Sequence, residues 1–237
     1  MPCSAFTGKV LTAIIISKLH AKSPIARVID IGPGEGSYAR LIRPLVSIPE
    51  WIGVEVWPPY IKEYDLASVY DQVIISDARW FDFSLVGSDS LAIFGDVLEH
   101  MSRDDALKTV NRALVYCKAA LISLPIGSWP QDAIGDNNYE KHVQSWTNED
   151  VVKYLPNLAG YVYFRYHDLG GIGVALCAGY GAAAVHVRDA ISEAQSIVGG
   201  NGALQDHPLG LSASSLDPAV VAKFSEMVTP YIFPLKS

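Results

Sequence analysis

The chain has 237 residues, with 18 Lys plus Arg against 25 Asp plus Glu and a formal net charge of −7. Half of the residues are hydrophobic and 18% are charged. That core supply excludes disorder over most of the length and suits one domain, or one domain with an appendage. The acidic balance argues against nucleic acid as a partner, because phosphates need a basic face. Residues 1–43, with six basic and two acidic side chains, could form only a local basic patch.

In chain order, the first predicted element is a helix over residues 5–20, with Val10, Leu11, Ile14, Ile15 and Leu19 on its apolar positions, ended by Ser23-Pro24. Val28 to Ile31 reads as a short buried strand running into Gly32-Pro33-Gly34-Glu35-Gly36, then a helix over 37–45. A strand over 51–56 and a helix over 59–66 follow, then strands over 72–75 and 90–94. Ser102 is a good N-cap for a helix over 103–116, with Asp104 and Asp105 in its first turn. A fifth strand covers 119–123, and Thr147-Asn148-Glu149-Asp150 opens another helix. Strands over 161–166 and 172–177 are joined by His167-Asp168-Leu169-Gly170-Gly171, a hairpin signal. In the remainder, Val187, Ile191, Ala194 and Val198 fit one helical face, Gly199 to Gly202 is a break, and Asp217-Pro218 opens a second short helix.

Strands alternating with helices predict an α/β fold, a mostly parallel sheet covered on both faces, with one antiparallel strand from the closing hairpin. The expected organisation is an N-terminal helix (1–24), a central domain (25–179) and a C-terminal helical appendage (180–237) that covers the site or builds a homodimer. Cys3, Cys117 and Cys177 include no CxxC pair, so neither a disulfide framework nor a cysteine-rich zinc site is expected. The run Ile14-Ile15-Ile16 is too short for a signal peptide, and the longest stretch without Asp, Glu, Lys or Arg (169–187) holds five glycines, a poor membrane span. A soluble cytoplasmic protein without a membrane partner is the expectation.

In such sheets ligands bind beyond the carboxyl ends of the strands. Asp30, Glu55, Asp77 and Asp96 each stand at or just past one. The glycine segment leaves three readings: a structural turn, a dinucleotide site, or a site for a nucleoside carrying an ammonium group. A dinucleotide site prefers G-x-G-x-x-G, which needs glycine at position 37, where this chain has Ser37. It also has no use for Asp30, because pyrophosphate is anionic, whereas an ammonium suits a carboxylate there. Glu55 can accept from both ribose hydroxyls under either ligand reading. Asp77, with the Ala78 backbone, can read an adenine edge. No Walker-type motif occurs.

Val28-Ile-Asp-Ile-Gly-Pro-Gly-Glu-Gly36, Gly53-Val-Glu-Val56, Ser76-Asp-Ala78 and Gly95-Asp-Val-Leu-Glu-His100 together resemble the successive motifs of class I S-adenosylmethionine-dependent methyltransferases, over roughly residues 25–178. The resemblance implies a Rossmann-like, seven-stranded sheet with a reversed last strand. It implies S-adenosylmethionine as cofactor, with Asp30, Gly32 and Gly34 at the methionine end and Pro33 and Gly36 completing that loop. Glu55 would hold the ribose, Val56 would touch the adenine, Asp77 and Ala78 would read its edge, and Asp96 would lie between cofactor and acceptor.

A sulfonium is already a strong electrophile, so the protein mainly aligns a nucleophile and takes its proton. His100 and His142 are the candidate bases, with Glu99 beside His100, because imidazole titrates near neutral pH. Asp96, Glu99, His100 and His142 also resemble the metal cluster of small-RNA 2′-O-methyltransferases, which would suit Mg²⁺, Mn²⁺ or Fe²⁺. Asp96 departs from the Glu of that cluster and the pattern is common in metal-free relatives, so no metal is expected. Trp57, Tyr60, Trp80, Phe81, Trp129 and Trp146 could build a stacking wall, and residues 128–138 a lid. The leading expectation is methyl transfer to an oxygen or nitrogen of a small molecule. The alternatives are an RNA- or protein-directed methyltransferase and a non-catalytic cofactor-binding subunit.

Overall fold

The computed structural model describes residues 6–166, 170–181, 184–199 and 230–232. Its elements are α1 (Phe6–Lys22), β1 (Arg27–Ile31), α2 (Ser37–Ile42), β2 (Glu50–Glu55), α3 (Pro58–Glu63), α4 (Leu66–Val69), β3 (Gln72–Ile75), β4 (Ser90–Gly95), α5 (Arg103–Tyr116), β5 (Ala119–Ile126), α6 (Asn148–Tyr154), β6 (Leu158–Tyr166), β7 (Gly170–Ala178), α7 (Ala184–Gly199) and β8 (Pro230–Ile232). The sheet runs in the order β3-β2-β1-β4-β5-β7-β6-β8. Strands β1 to β5 are parallel neighbours, and β7 pairs antiparallel with both β5 and β6. The seven expected strands and the reversed last one are all present. Three residues of the C-terminal segment extend the sheet by adding β8, antiparallel, to the outer edge of β6.

Alternation along the strands sets the two faces. On β4, Leu91 and Ile93 join one apolar cluster, and Ala92 and Phe94 join the other. The first cluster gathers α1, α2 and α7 on one face, and the second gathers α5 and the helix-flanking aromatics Phe81 and Phe83 on the other. Helix α7 lies against α1 and β6. Val187, Ala190, Ile191 and Ala194 are all buried there, with Leu11 and Ile14 of α1 and Val162 and Val174 of the sheet in the same cluster. A Cβ on Gly160 would lie 2.7 Å from two atoms of Ile191, so this approach depends on the missing side chain. Among the described residues, no helix is long and apolar enough to cross a membrane.

Local signals explain most boundaries. Helix α5 starts after Ser102, whose hydroxyl accepts from the Asp105 amide at 3.2 Å. Helix α3 begins with Pro58, whose lost N–H costs nothing in the first turn. The single helix expected over 59–66 is instead two, α3 and α4, because Asp65 adopts a left-handed backbone (φ 48°) between them. Pro125 extends β5 beyond its last β4 partner, Ser123, where its missing N–H breaks no ladder on that side. Cys3, the turn residues 167–169, Gly200 to Gly202 and the helix expected from Asp217-Pro218 lie outside the described residues.

Helix α6 carries a complete capping box: the Thr147 hydroxyl accepts from the Asp150 amide and the Asp150 carboxylate accepts from the Thr147 amide, both at 3.1 Å. Thr147→Ala leaves the Asp150 amide without its acceptor on an exposed helix end. A loss of about 1 kcal/mol is expected in urea unfolding, with an unchanged slope.

Candidate active site

Strands β1, β2, β4 and β5 end side by side, and a cavity of about 330 Å³ opens beyond their carboxyl ends. One wall is the loop after β1. Gly32 holds φ +62°, and a Cβ there would sit 2.7 Å from Val97 Cγ2. The loop therefore presents bare backbone to the cavity. Gly32, Pro33 and Gly34 line it, while Gly36 stands back as the N-cap of α2.

Asp30, on β1, is 1% exposed and lies outside the cavity lining. Gly53 on the neighbouring strand explains its surroundings. The ring of Tyr70 rests where a side chain at position 53 would be, 3.2 Å from an added Cβ, and its hydroxyl donates to Asp30 Oδ2 at 2.6 Å. Asp30 Oδ1 is buried and accepts no hydrogen bond. Burial pushes the Asp30 carboxyl up to about 7, against the pull of the Tyr70 hydroxyl and the Lys9 ammonium.

Glu55 ends β2 at 3% exposure and lines the cavity. Its Oε1 accepts from the Trp57 amide at 2.8 Å, and the Gly34 and Val56 amides also approach the carboxylate. Burial outweighs these donors and raises its pKa to about 7. Val56, Asp77 and Ala78 line the same wall. The Asp77 carboxylate is already engaged: Oδ1 accepts from the Arg79 amide and Nε at 2.8 and 2.9 Å, and Oδ2 from Arg79 Nη2 at 2.5 Å. Burial raises Asp77, but these Arg79 donors outweigh it and hold the carboxyl below its usual range.

Asp96 follows β4 with a left-handed backbone, φ 55°, rare for a residue with a side chain and frequent at functional sites. Its amide donates to the Ser123 carbonyl at 3.0 Å, pinning the end of β4 to β5. The next turn, Leu98–His100, brings Glu99 and His100 to the cavity, and the long loop after β5 brings His142. Two amides of that loop, Val143 and Gln144, donate to the Glu99 carbonyl at 2.9 and 3.0 Å, tying the two segments together. The His100 and His142 rings meet edge to face, with centroids 4.9 Å apart. Burial lowers the His100 pKa, and burial together with the Asp96 charge holds Glu99 well above the carboxylate range.

All three candidate catalytic residues and eight of the ten candidate binding residues therefore line one cavity, and Asp30 and Gly36 support it from behind. Of the six aromatics, Tyr60 and Trp129 reach the cavity. Trp146 and Phe81 are core, and Trp80 is 78% exposed. Within the expected lid, Trp129, Gln131 and Asn137 line the cavity. Sequence reasoning missed Lys9 and Tyr38. Lys9, 3% exposed, projects from α1 into the cavity with its ammonium 5.5 Å from the centre of the Tyr38 ring. The available signal was a lysine one residue before the apolar run that opens with Val10 and Leu11.

No family model matches the chain, and no curated protein matches it. Solved structures do. A crystal structure of a S-adenosylmethionine-dependent methyltransferase from Clostridium acetobutylicum ATCC 824 aligns with TM-score 0.56 and 12% identity, over 75% of this chain and 94% of that one. The N-terminal domain of EvdMO1 with SAH and D-fucose aligns with TM-score 0.54 and 11% identity, over 72% and 82%. Magnesium protoporphyrin IX methyltransferase from Synechocystis PCC 6803 with bound SAH aligns with TM-score 0.52 and 11% identity, over 72% and 82%. The likeness is one of fold, and the fold is the Rossmann-like one of the class I methyltransferases.

The raised pKa values of Asp30 and Glu55 have a thermodynamic consequence. Between about pH 4 and 7 the folded protein holds protons that the unfolded chain releases, so these groups contribute less to stability as pH rises through that window. Asp30→Asn removes one titrating group. Urea midpoints at about pH 5 and about pH 8 should fall more in the parent chain than in the Asn variant.

Proposed function

We propose that this chain is an S-adenosylmethionine-dependent methyltransferase acting on an oxygen or nitrogen of a small molecule. The observation that carries the reading is the pair of buried carboxylates, Asp30 and Glu55, at the ends of β1 and β2 beside a glycine loop of bare backbone. A pyrophosphate would bring negative charge against both. A nucleoside with an ammonium and free ribose hydroxyls supplies what they lack. The fold neighbours crystallised with SAH support the same ligand.

The residues divide the work. Glu55 accepts from the ribose hydroxyls. Asp30, set behind the wall, acts on the ammonium through its field and an intervening water or amide. Lys9 supplies the matching cation for the carboxylate of an amino-acid moiety. Val56 and Ala78 bound the base, and Asp77 reads its edge by sharing oxygens now held by Arg79. The bound cofactor supplies an activated methyl on sulfur. His142 and His100 receive or relay the acceptor's proton, and the loop of Trp129 and Gln131 shields the site from water.

Calorimetric titration should show binding of both S-adenosylmethionine and its demethylated product, and methyl transfer to a metabolite library should then find an acceptor. Binding without any turnover would favour the non-catalytic subunit. His142→Ala should lower turnover by about 10²- to 10⁴-fold while cofactor affinity changes little. Equal losses in both would make His142 a structural residue.

A further inference from the structure

We infer that Glu99, His100 and His142 form a site for one first-row divalent cation. One ligand atom from each lies within 4.8 Å of the others, and among the described residues Asp96 stands outside this cluster. Bonds of about 2.0–2.2 Å hold opposite donors at most about 4.4 Å apart. Small side-chain rotations would close the three donors on an ion.

The protons are already arranged for it. His100 Nδ1 lies 3.2 Å from the Lys141 carbonyl oxygen, and His142 Nδ1 lies 2.6 Å from that of Trp129. A carbonyl oxygen only accepts, so each Nδ1 is the donor and each Nε2 is the ring nitrogen left to ligate. Backbone carbonyls orient ligating imidazoles in this way. Glu99 is 1% exposed, and among the described residues no other donates to either carboxylate oxygen. Its Oε1 faces His142 Nε2 across 4.0 Å, beyond hydrogen-bond reach, so the two atoms point at one space without bonding each other. A cation in that space would be bound by both atoms. The amides of Val143 and Gln144 on the Glu99 carbonyl hold both segments in register before any ion arrives.

Two imidazoles and a carboxylate, with no thiolate, suit Mn²⁺, Fe²⁺, Co²⁺ or Zn²⁺ better than Mg²⁺ or Ca²⁺, which prefer all-oxygen shells. All three residues line the cavity, so the remaining positions of the ion open onto it. The matched ligand there is an oxygen donor of the acceptor, whose hydroxyl the cation acidifies; with the ion bound, His100 and His142 serve as its ligands and the hydroxyl's proton passes to water rather than to either ring. That last assignment rests on the methyltransferase reading, and cation binding itself does not.

The test uses the full chain without an affinity tag, stripped with chelator and dialysed, and titrated with Mn²⁺ by calorimetry and electron paramagnetic resonance in nucleoside-free buffer. One Mn²⁺ per chain is expected. Glu99→Gln and His142→Ala should each weaken it at least about 10-fold. Glu99→Gln keeps the side-chain shape, so cooperative unfolding should survive. Co²⁺ should show visible bands shifted from those of the aqueous ion, lost in Glu99→Gln. The site is overturned if the parent chain shows no saturable Mn²⁺ binding up to millimolar concentration, or if both variants bind as it does. Because no nucleoside is present, the result is independent of whether the cavity takes S-adenosylmethionine.

Discussion

Burial of carboxylates at one end of the sheet is the constraint around which this molecule is arranged. Asp30, Glu55 and Glu99 are 1%, 3% and 1% exposed, and burial raises the pKa of each. Taken alone, such groups oppose folding, because the charged form loses its water. The chain places them at the carboxyl ends of β1 and β2 and just past β4, where neighbouring parallel strands stop and leave a crevice. Glu55 and Glu99 face that crevice, while Asp30 stands behind its wall.

Everything around these groups holds them in place. Gly53 makes room for Tyr70, and Tyr70 steadies one oxygen of Asp30. The amides of Trp57, Gly34 and Val56 converge on Glu55. The segment carrying His142 is bonded to the carbonyl of Glu99. The apolar face that supports this end of the sheet draws on both α1 and α7, which lie side by side in one cluster with β4, β6 and β7. The helix before the first strand also reaches the cavity, through Lys9.

Much of this was legible in the residues. The alternation of strands and helices, the caps at Ser102 and Thr147, the glycine loop and the polar residues at strand ends are local features, governed by backbone conformation and periodicity within a few residues. They located the crevice and most of its lining. The split of one expected helix at Asp65 was not legible, because a left-handed backbone at an aspartate depends on what the flanking turns pack against.

Sequence alone therefore determined the order of elements, the reversed last strand and the end of the sheet where the cavity opens, since propensity and hydrophobic period act at short range. Only the tertiary structure decided where the polar side chains end up. Asp77 turns to Arg79, Asp30 withdraws behind the wall to Tyr70, Lys9 crosses from the first helix, and Glu99, His100 and His142 converge from two loops. Each of these outcomes is a choice among distant partners, made by packing between segments that no local pattern connects.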